Sequence, residues 1–244
     1  MKIKMLFIMA ILLSASCINA KTLVVYYSFT NNVHTIVNNL HTQIDADVIR
    51  IEPAEKGIDY ADNNYAAGSA LISAIRNNPD DAASYPAIDP VEVNLDEYDM
   101  VIVAAPLWWS QMAAPLQTFL FQHGKEMKGK RIGLIVSSAS SGISSVVADA
   151  KRLIPQGIFL EPNLWIRSSQ VSNCHSMIEQ WLKDIDYTAI TSSISAVGSD
   201  GEEKAIARYN IGGQRIAAEQ QIAGISITQY RKAGKTYSKK SIVK

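Results

Sequence analysis

Residues 24–40 read VVYYSFTNNVHTIVNNL, and this stretch decides the fold. It opens as a strand, with two valines and two tyrosines in a row. From Val33 the apolar residues change period, recurring at Ile36, Val37 and Leu40, one face of a helix. Between the two lies a polar knot: Ser28, Thr30, Asn31 and Asn32. A strand that hands over to a helix through hydroxyls and amides, before anything else is built, is the first half of a βα unit.

Outward from this unit the pattern repeats. Short runs rich in Val, Ile and Leu lie at 23–27, 48–51, 100–105, 132–137 and 158–166, the last interrupted by Pro162. Helical spacing fills the gaps at 66–75, 116–121, 146–154 and 178–185. The strands are continuously apolar rather than alternating, so both faces are covered, which predicts a parallel sheet with helices on each side. The end of the chain reads differently. Residues 192–203 are small and polar, and β-like pieces follow at 206–210 and 224–230, punctuated by Gly212, Gly213 and Gly234. The expected division is a main domain over 21–186, a linker over 187–203 and a small β-rich module over 204–244.

The first twenty residues stand apart from that core. Lys2 and Lys4 precede an apolar run at 5–13, and small or polar residues follow up to Ala20, the pattern of a secretory signal peptide cut after Ala20. Nine apolar residues are too few to span a membrane comfortably, so no stable span is expected after cleavage. The expected destination is the periplasm. Ser14-Ala15-Ser16-Cys17 loosely resembles a lipoprotein processing site, which keeps a lipid anchor on Cys17, or the cell surface, as alternatives. With the cut at Ala20, Cys174 is the one cysteine left, and the core must hold by packing without an internal disulfide.

The 244 residues carry no formal net charge, yet the charge is unevenly placed. Residues 21–186 hold 12 Lys and Arg against 19 Asp and Glu; residues 187–244 hold 9 against 4. The basic residues are confined to a terminal segment without interleaved aromatics, so nucleic acid is not an expected partner. An acidic body leads one to expect an acidic binding pocket.

In a doubly wound sheet, ligands collect beyond the carboxyl ends of the strands. The polar knot lies there, and with the first N–H groups of the helix beginning near Val33 it suits a phosphate dianion without any Lys or Arg. The same residue types also serve as plain helix caps, and local physics leaves both roles open. The loop after the third strand reads Ala104-Ala105-Pro106-Leu107-Trp108-Trp109-Ser110-Gln111-Met112. One indole of such a pair can lie flat on a planar ring while the other enters the core; core packing of both is the competing reading. The fourth strand ends in Ser137-Ser138-Ala139-Ser140-Ser141-Gly142, small enough for ring edges and main-chain amides to approach closely, or else a solvated turn.

On these three loops the chain resembles the flavodoxin-like family, over about residues 22–186, and is similar to exported members with the same YYS and WW turns. The resemblance implies a five-stranded parallel sheet of order 2-1-3-4-5 and bound FMN. The family's first loop reads Ser/Thr-x-Thr-Gly-Asn-Thr and holds the FMN phosphate; Ser28, Thr30 and Asn32 match it. Asn31 stands where glycine is usual, which is tolerable because Asn enters left-handed conformations more readily than other side chains. Val33 replaces the last threonine and removes a hydroxyl, worth about 0.5–1.5 kcal/mol. By the same resemblance Trp108 lies against the isoalloxazine, with Pro106, Leu107 and Trp109 shaping the loop, and Ser138, Ala139, Ser140 and Gly142 match the second flavin loop. Trp181-Leu182 fits the last helix and Tyr98-Asp99 the approach to the third strand. The tail, with Tyr209-Asn210-Ile211-Gly212-Gly213-Gln214-Arg215 and a basic end, is similar to terminal β-modules of exported bacterial proteins, some used for surface attachment.

Other chemistry finds little support. His41, His123 and His175 are scattered without metal-ligand spacing, His34 reads as a solvated first-turn residue beside the knot, and no Gly-x-Ser-x-Gly motif seats a nucleophile. Asp96, Glu97 and Asp99 read as a solvated edge that a basic redox partner could meet. Tyr60, Tyr65 and Tyr85, in the long second connection, read as surface packing or as a substrate mouth. The leading expectation is an exported FMN redox protein serving a redox partner protein or a small quinone-like acceptor. The alternatives are an NAD(P)H-dependent quinone or FMN reductase and a non-enzymatic exported module that has lost FMN.

Overall fold

The chain, seen here in a computed structural model, is described at residues 20–192, 204–210, 215–216, 224–232 and 235–243. Residues 1–19 of the expected signal peptide, Cys17 included, and residues 193–203 of the expected linker lie outside the described residues.

The main unit runs β1 (Thr22–Tyr26), α1 (Asn32–His41), β2 (Asp47–Arg50), α2 (Asp62–Asn77), β3 (Met100–Trp108), β4 (Gln111–Met112), α3 (Ala114–His123), β5 (Arg131–Ser138), α4 (Ser144–Leu153), β6 (Ile158–Phe159), β7 (Leu164–Arg167), α5 (Cys174–Asp184) and α6 (Tyr187–Ser192). β1 pairs in parallel with β2 on one side and β3 on the other, β3 with β5, and β5 with both β6 and β7. With β6 and β7 counted as one strand and β4 set aside, this is the order 2-1-3-4-5.

Two details differ from a plain five-stranded sheet. The fifth strand is split: Ile158 pairs with Arg131 but Leu164 with Ile135, so the offset grows from 27 to 29 residues. Pro162 lies in the two-residue excess, where its missing N–H costs the ladder nothing. The second difference is β4, a two-residue antiparallel return on the end of β3.

The strands divide the core in two because successive side chains point to opposite faces. Leu23, Val25, Val101, Val103, Leu134 and Val136 pack against α2, α3 and α4 through Ile72, Ile75, Phe119, Leu120 and Val146. Val24, Tyr26, Ile102, Ala104 and Ile135 pack against α1 and α5 through Ile36, Val37, Leu40, Ile178 and Trp181. The central strands are buried on both sides, whereas the edge strand β2 is largely exposed, so the expected full burial does not extend to it. The expected linker also starts later than residue 187: α6 belongs to the main unit, with Thr22 Oγ1 and the Tyr187 hydroxyl 3.0 Å apart.

The second unit, 195–244, carries a four-stranded antiparallel sheet of order β11-β10-β8-β9, built from β8 (Lys204–Asn210), β9 (Arg215–Ile216), β10 (Gly224–Lys232) and β11 (Lys235–Val243).

Candidate functional site

The first loop leaves β1 and bends at Asn31, whose φ of 62° and ψ of −2° are left-handed. That is the conformation for which glycine or asparagine is suited. Asn31 uses no side-chain cap; its carbonyl accepts the Thr35 N–H at 2.9 Å and so closes the first turn of α1. The N–H groups of Asn32 and Val33 precede that turn and have no intrahelical acceptor by geometry. Ser28 is buried, its hydroxyl accepting the His34 N–H at 3.2 Å, and its carbonyl accepts from Arg50 Nη2 at 3.2 Å. The Val33 side chain is core, so this residue can offer a ligand its N–H alone.

The second loop is a hairpin. Trp108 opposes Gln111, leaving Trp109 and Ser110 as a two-residue turn with φ of 46° and 64°. Both values are positive, as in a type I′ turn, where Asn-Gly is the usual choice. A tryptophan and a serine held there cost about 1–3 kcal/mol each. The indoles do not divide between ligand and core as expected: both face the same cleft. Trp108 is packed edge-on by Tyr27 at 5.6 Å and Phe29 at 6.3 Å, with Tyr60 tilted against it at 4.9 Å. Trp109, 38% exposed, lies over Gly68, where a Cβ would fall 2.8 Å from its ring. Gly68 is thus the glycine that lets the second indole settle on α2. Just before it, Asn63, Asn64 and Tyr65 adopt left-handed angles, and the Tyr65 ring meets Trp109 edge-on at 6.2 Å.

The third loop is tied down from within. Ser138 Oγ donates to the Ser141 carbonyl at 2.7 Å and accepts Trp165 Nε1–H at 2.8 Å. Ser168 Oγ donates to the Ser138 carbonyl at 3.4 Å and accepts from Asn32 Nδ2 at 3.3 Å. One hydroxyl therefore bridges the first and third loops.

Together these loops enclose a cleft of about 410 Å³ lined by Phe29, Thr30, Asn32, Tyr60, Ala61, Tyr65, Pro106, Leu107, Trp108, Trp109, Ser137, Ser138, Ala139 and Ser168. Of the residues anticipated for the site, Thr30, Asn32, Pro106, Leu107, Trp108, Trp109, Ser138 and Ala139 converge there. Ser28, Asn31, Val33, Ser140 and Gly142 do not line it: Ser28 and Asn31 shape the turn, Val33 is core, and a Cβ added at Gly142 would meet open space. Ser137, the first residue of the third loop, lines it as well; Phe29, Ala61 and Ser168 were not anticipated. Tyr60, buried, and Tyr65, exposed, both line it, whereas Tyr85 is buried against Phe121 away from it.

Among the described residues no Asp, Glu, Lys, Arg or His lines the cleft, which corrects the acidic pocket expected from the charge of the body. Burial pushes the Tyr27 and Tyr60 hydroxyls up from the ordinary tyrosine value, Glu55 adding to the effect at Tyr60, so both stay neutral. Cations stand behind the loops instead: Arg50 on the Ser28 carbonyl, Arg76 on the Trp109 carbonyl at 3.4 Å, and Arg167 over the Trp165 ring at 4.5 Å.

The flavodoxin family model matches residues 21–185, most of the chain. The chain belongs to the flavodoxin family. FMN is the cofactor that membership carries. Among solved structures, this flavodoxin-family chain is similar to a candidate flavoprotein of Bacteroides eggerthii, with TM-score 0.56 and 23% identity over 69% of this chain and 99% of that one. A candidate flavoprotein of Bacteroides uniformis gives 0.54 and 24% over 68% and 99%. A Lactobacillus acidophilus flavoprotein solved in complex with FMN gives 0.50 and 21% over 63% and 97%. At these identities the likeness is one of fold. No curated protein matches the chain.

The cleft fits the cofactor's chemistry at both ends. The helix N-terminus with the Thr30 hydroxyl and Asn32 amide suits the phosphate. The indole wall and the small Ala139 ledge suit a flat ring system.

Proposed function

We propose that this chain is an FMN-binding redox protein that passes electrons through its flavin to a redox partner protein or a small quinone-like acceptor. The observation that carries the reading is an uncharged, aromatic-walled cleft with a helix N-terminus at one side. Bound FMN supplies the electron and hydride chemistry, and the protein supplies position and electrostatics. In this reading the Asn32 N–H and the Thr30 hydroxyl hold the phosphate, and the left-handed turn at Asn31 aims them. Trp108 lies against the ring, and the neutral Tyr60 with Phe29 excludes water beside it. Among the described residues the lining offers no ionised side chain, so the flavin itself is given the chemistry in this reading.

Reduction of a small planar acceptor is favoured by the outer wall, where Tyr65 is 54% and Trp109 38% exposed. Purified mature protein incubated with excess FMN and desalted is expected to be yellow, with a flavin absorption band. A colourless but folded product would overturn the reading in favour of a module without cofactor. Steady-state NAD(P)H oxidation with a quinone separates carrier from reductase, since turnover by the flavin-loaded protein identifies the reductase.

The reading includes export, cleavage after Ala20 and residence in the periplasm, supported by the charged, apolar and small-residue order of the first twenty residues. Cleavage there would turn the Lys21 nitrogen, 3.3 Å from Asp99 Oδ2, into an ammonium facing a carboxylate. Among the described residues no helix is long and apolar enough to cross a membrane. Intact mass of the periplasmic product tests the cut: a chain beginning at Lys21 is expected, and a retained leader or lipidated Cys17 overturns it. Attachment through the second unit is the remaining role proposed for the tail.

A further inference from the structure

The hairpin that carries both indoles is poorly equipped to hold itself. Its turn residues are the wrong type for their backbone angles, and its return strand β4 is two residues long. Met112 faces Leu107 next to the Trp108–Gln111 pair, and main-chain groups at alternate positions of an antiparallel pair point away from the partner strand. The two polar groups of Met112 are taken up by side chains of the helices beside it. Its N–H donates to Asp149 Oδ2 on α4 at 2.9 Å, and its carbonyl accepts Gln117 Nε2–H on α3 at 2.7 Å. Gln117 is 1% and Asp149 6% exposed. Arg152 closes the circuit, its Nη2 donating to Gln117 Oε1 at 2.9 Å and lying 3.4 Å from Asp149 Oδ1, while its Nη1 donates to the Tyr85 hydroxyl at 3.0 Å.

Burying a carboxylate is costly unless its bonds are satisfied. The cost is visible in the Asp149 carboxyl, pushed up from the ordinary aspartate value by desolvation despite the opposing pull of the Met112 N–H, Arg152 and Arg76. α3 and α4 need no such group to pack, since Phe119, Leu116, Val146 and Ala150 already fill that side of the core. What the carboxylate and the amide share is the backbone of the arm that follows the two tryptophans.

We propose that Asp149 and Gln117 are positioning residues that clamp Met112 and thereby set how the Trp108–Trp109 wall meets the flavin ring. This rests on the FMN reading for its consequence, but the clamp itself does not need flavin to be observed. The test compares the full-length mature protein with its Asp149→Asn, Asp149→Leu and Gln117→Leu variants. Three quantities are read: near-ultraviolet circular dichroism of the flavin-free tryptophans, the FMN dissociation constant, and the midpoint potential of the bound flavin.

The Leu variants are expected to lose the part of the tryptophan signal that a Trp108→Phe, Trp109→Phe control removes, Trp165 and Trp181 being held elsewhere, and to bind FMN about tenfold more weakly, the scale of one lost hydrogen bond, with a shifted potential. Asp149→Asn keeps an acceptor for the Met112 N–H and is expected to restore the signal, the affinity and the potential to near the unaltered values. Leu variants that melt lower but keep signal, affinity and potential would overturn the proposal and leave the pair as plain core support. Failure of the unaltered protein to bind FMN would sink the flavin reading instead, and the near-ultraviolet signal would still decide the clamp. Amide exchange covers variants that do not fold: a freely exchanging Met112 N–H in the unaltered protein overturns the clamp directly.

Discussion

The two ends of the main sheet are built in opposite ways. At the carboxyl end the backbone is forced, with Asn31, Asn63, Asn64, Tyr65, Trp109 and Ser110 all at positive φ, and the cleft between them is uncharged. At the amino end Tyr98 leads into β3 with extended angles, and the contacts around β1 and β3 are ionic. Lys21 Nζ lies 2.9 Å from Asp47 and 3.2 Å from Glu97, its cation sits 4.6 Å over the Tyr98 ring, and the Tyr98 hydroxyl donates to Asp47 at 2.7 Å. These charges are about half exposed, so water and salt screen them. Strain persists where a surrounding structure over-determines it, and here it gathers at the rim that presents an indole wall and a helix N-terminus. The amino end is optional by comparison, a solvated fringe on a core already complete.

That contrast can be broken in four ways. The largest effect is expected from Trp108→Ala. Loss of an aromatic stacking surface is worth about 1–3 kcal/mol, or ~5–150-fold in affinity, measured as the FMN dissociation constant by flavin fluorescence. Unchanged affinity would mean that the wall is packing alone. Next comes Ser110→Gly, which relieves a left-handed serine and is expected to stabilise the fold by about 1 kcal/mol in urea denaturation. No gain would show that the turn is not strained.

The third effect is electrostatic and opposes two carboxylates. The folded-state pKa of Asp149 is raised by desolvation, so its contribution to stability is present below the ordinary aspartate value of 3.8 and is lost as pH rises through the folded value. Asp47 is lowered by its bonds to Lys21 and Tyr98, so its contribution is present above that ordinary value and is lost as pH falls through the folded one. Urea denaturation across pH is expected to lose the first slope in Asp149→Asn and only the second in Asp47→Asn. The smallest effect is expected from Lys21→Met, a slight loss of melting temperature that vanishes in molar salt. A large, salt-resistant loss would make the amino end structural after all.

The alternation of strand and helix was legible because both periods are written locally: apolar runs for β1, β3 and β5, and three- and four-residue spacing for α1, α4 and α5. Even the left-handed residue at the head of α1 could be read, since asparagine stands where the family has glycine and tolerates the same angles. The hairpin at Trp109 and Ser110 could not, because neither residue signals a two-residue turn. Ser168 was missed for a different reason: 136 residues separate it from Asn32, and only the parallel pairing of β5 with β7 brings its hydroxyl to the first loop. The clamp on Met112 was equally hidden, since a buried aspartate and glutamine on two helices look like any polar residues until their acceptor and donor are seen.

The amino-acid order alone therefore determined the layered α/β architecture and the polar knot with its helix, because periodicity and backbone preference act over a few residues. Tertiary structure decided which side chains share one cleft, that both indoles face it and that no charge lines it. Those outcomes depend on which strand lies beside which, and each is settled by contacts between residues far apart in the chain.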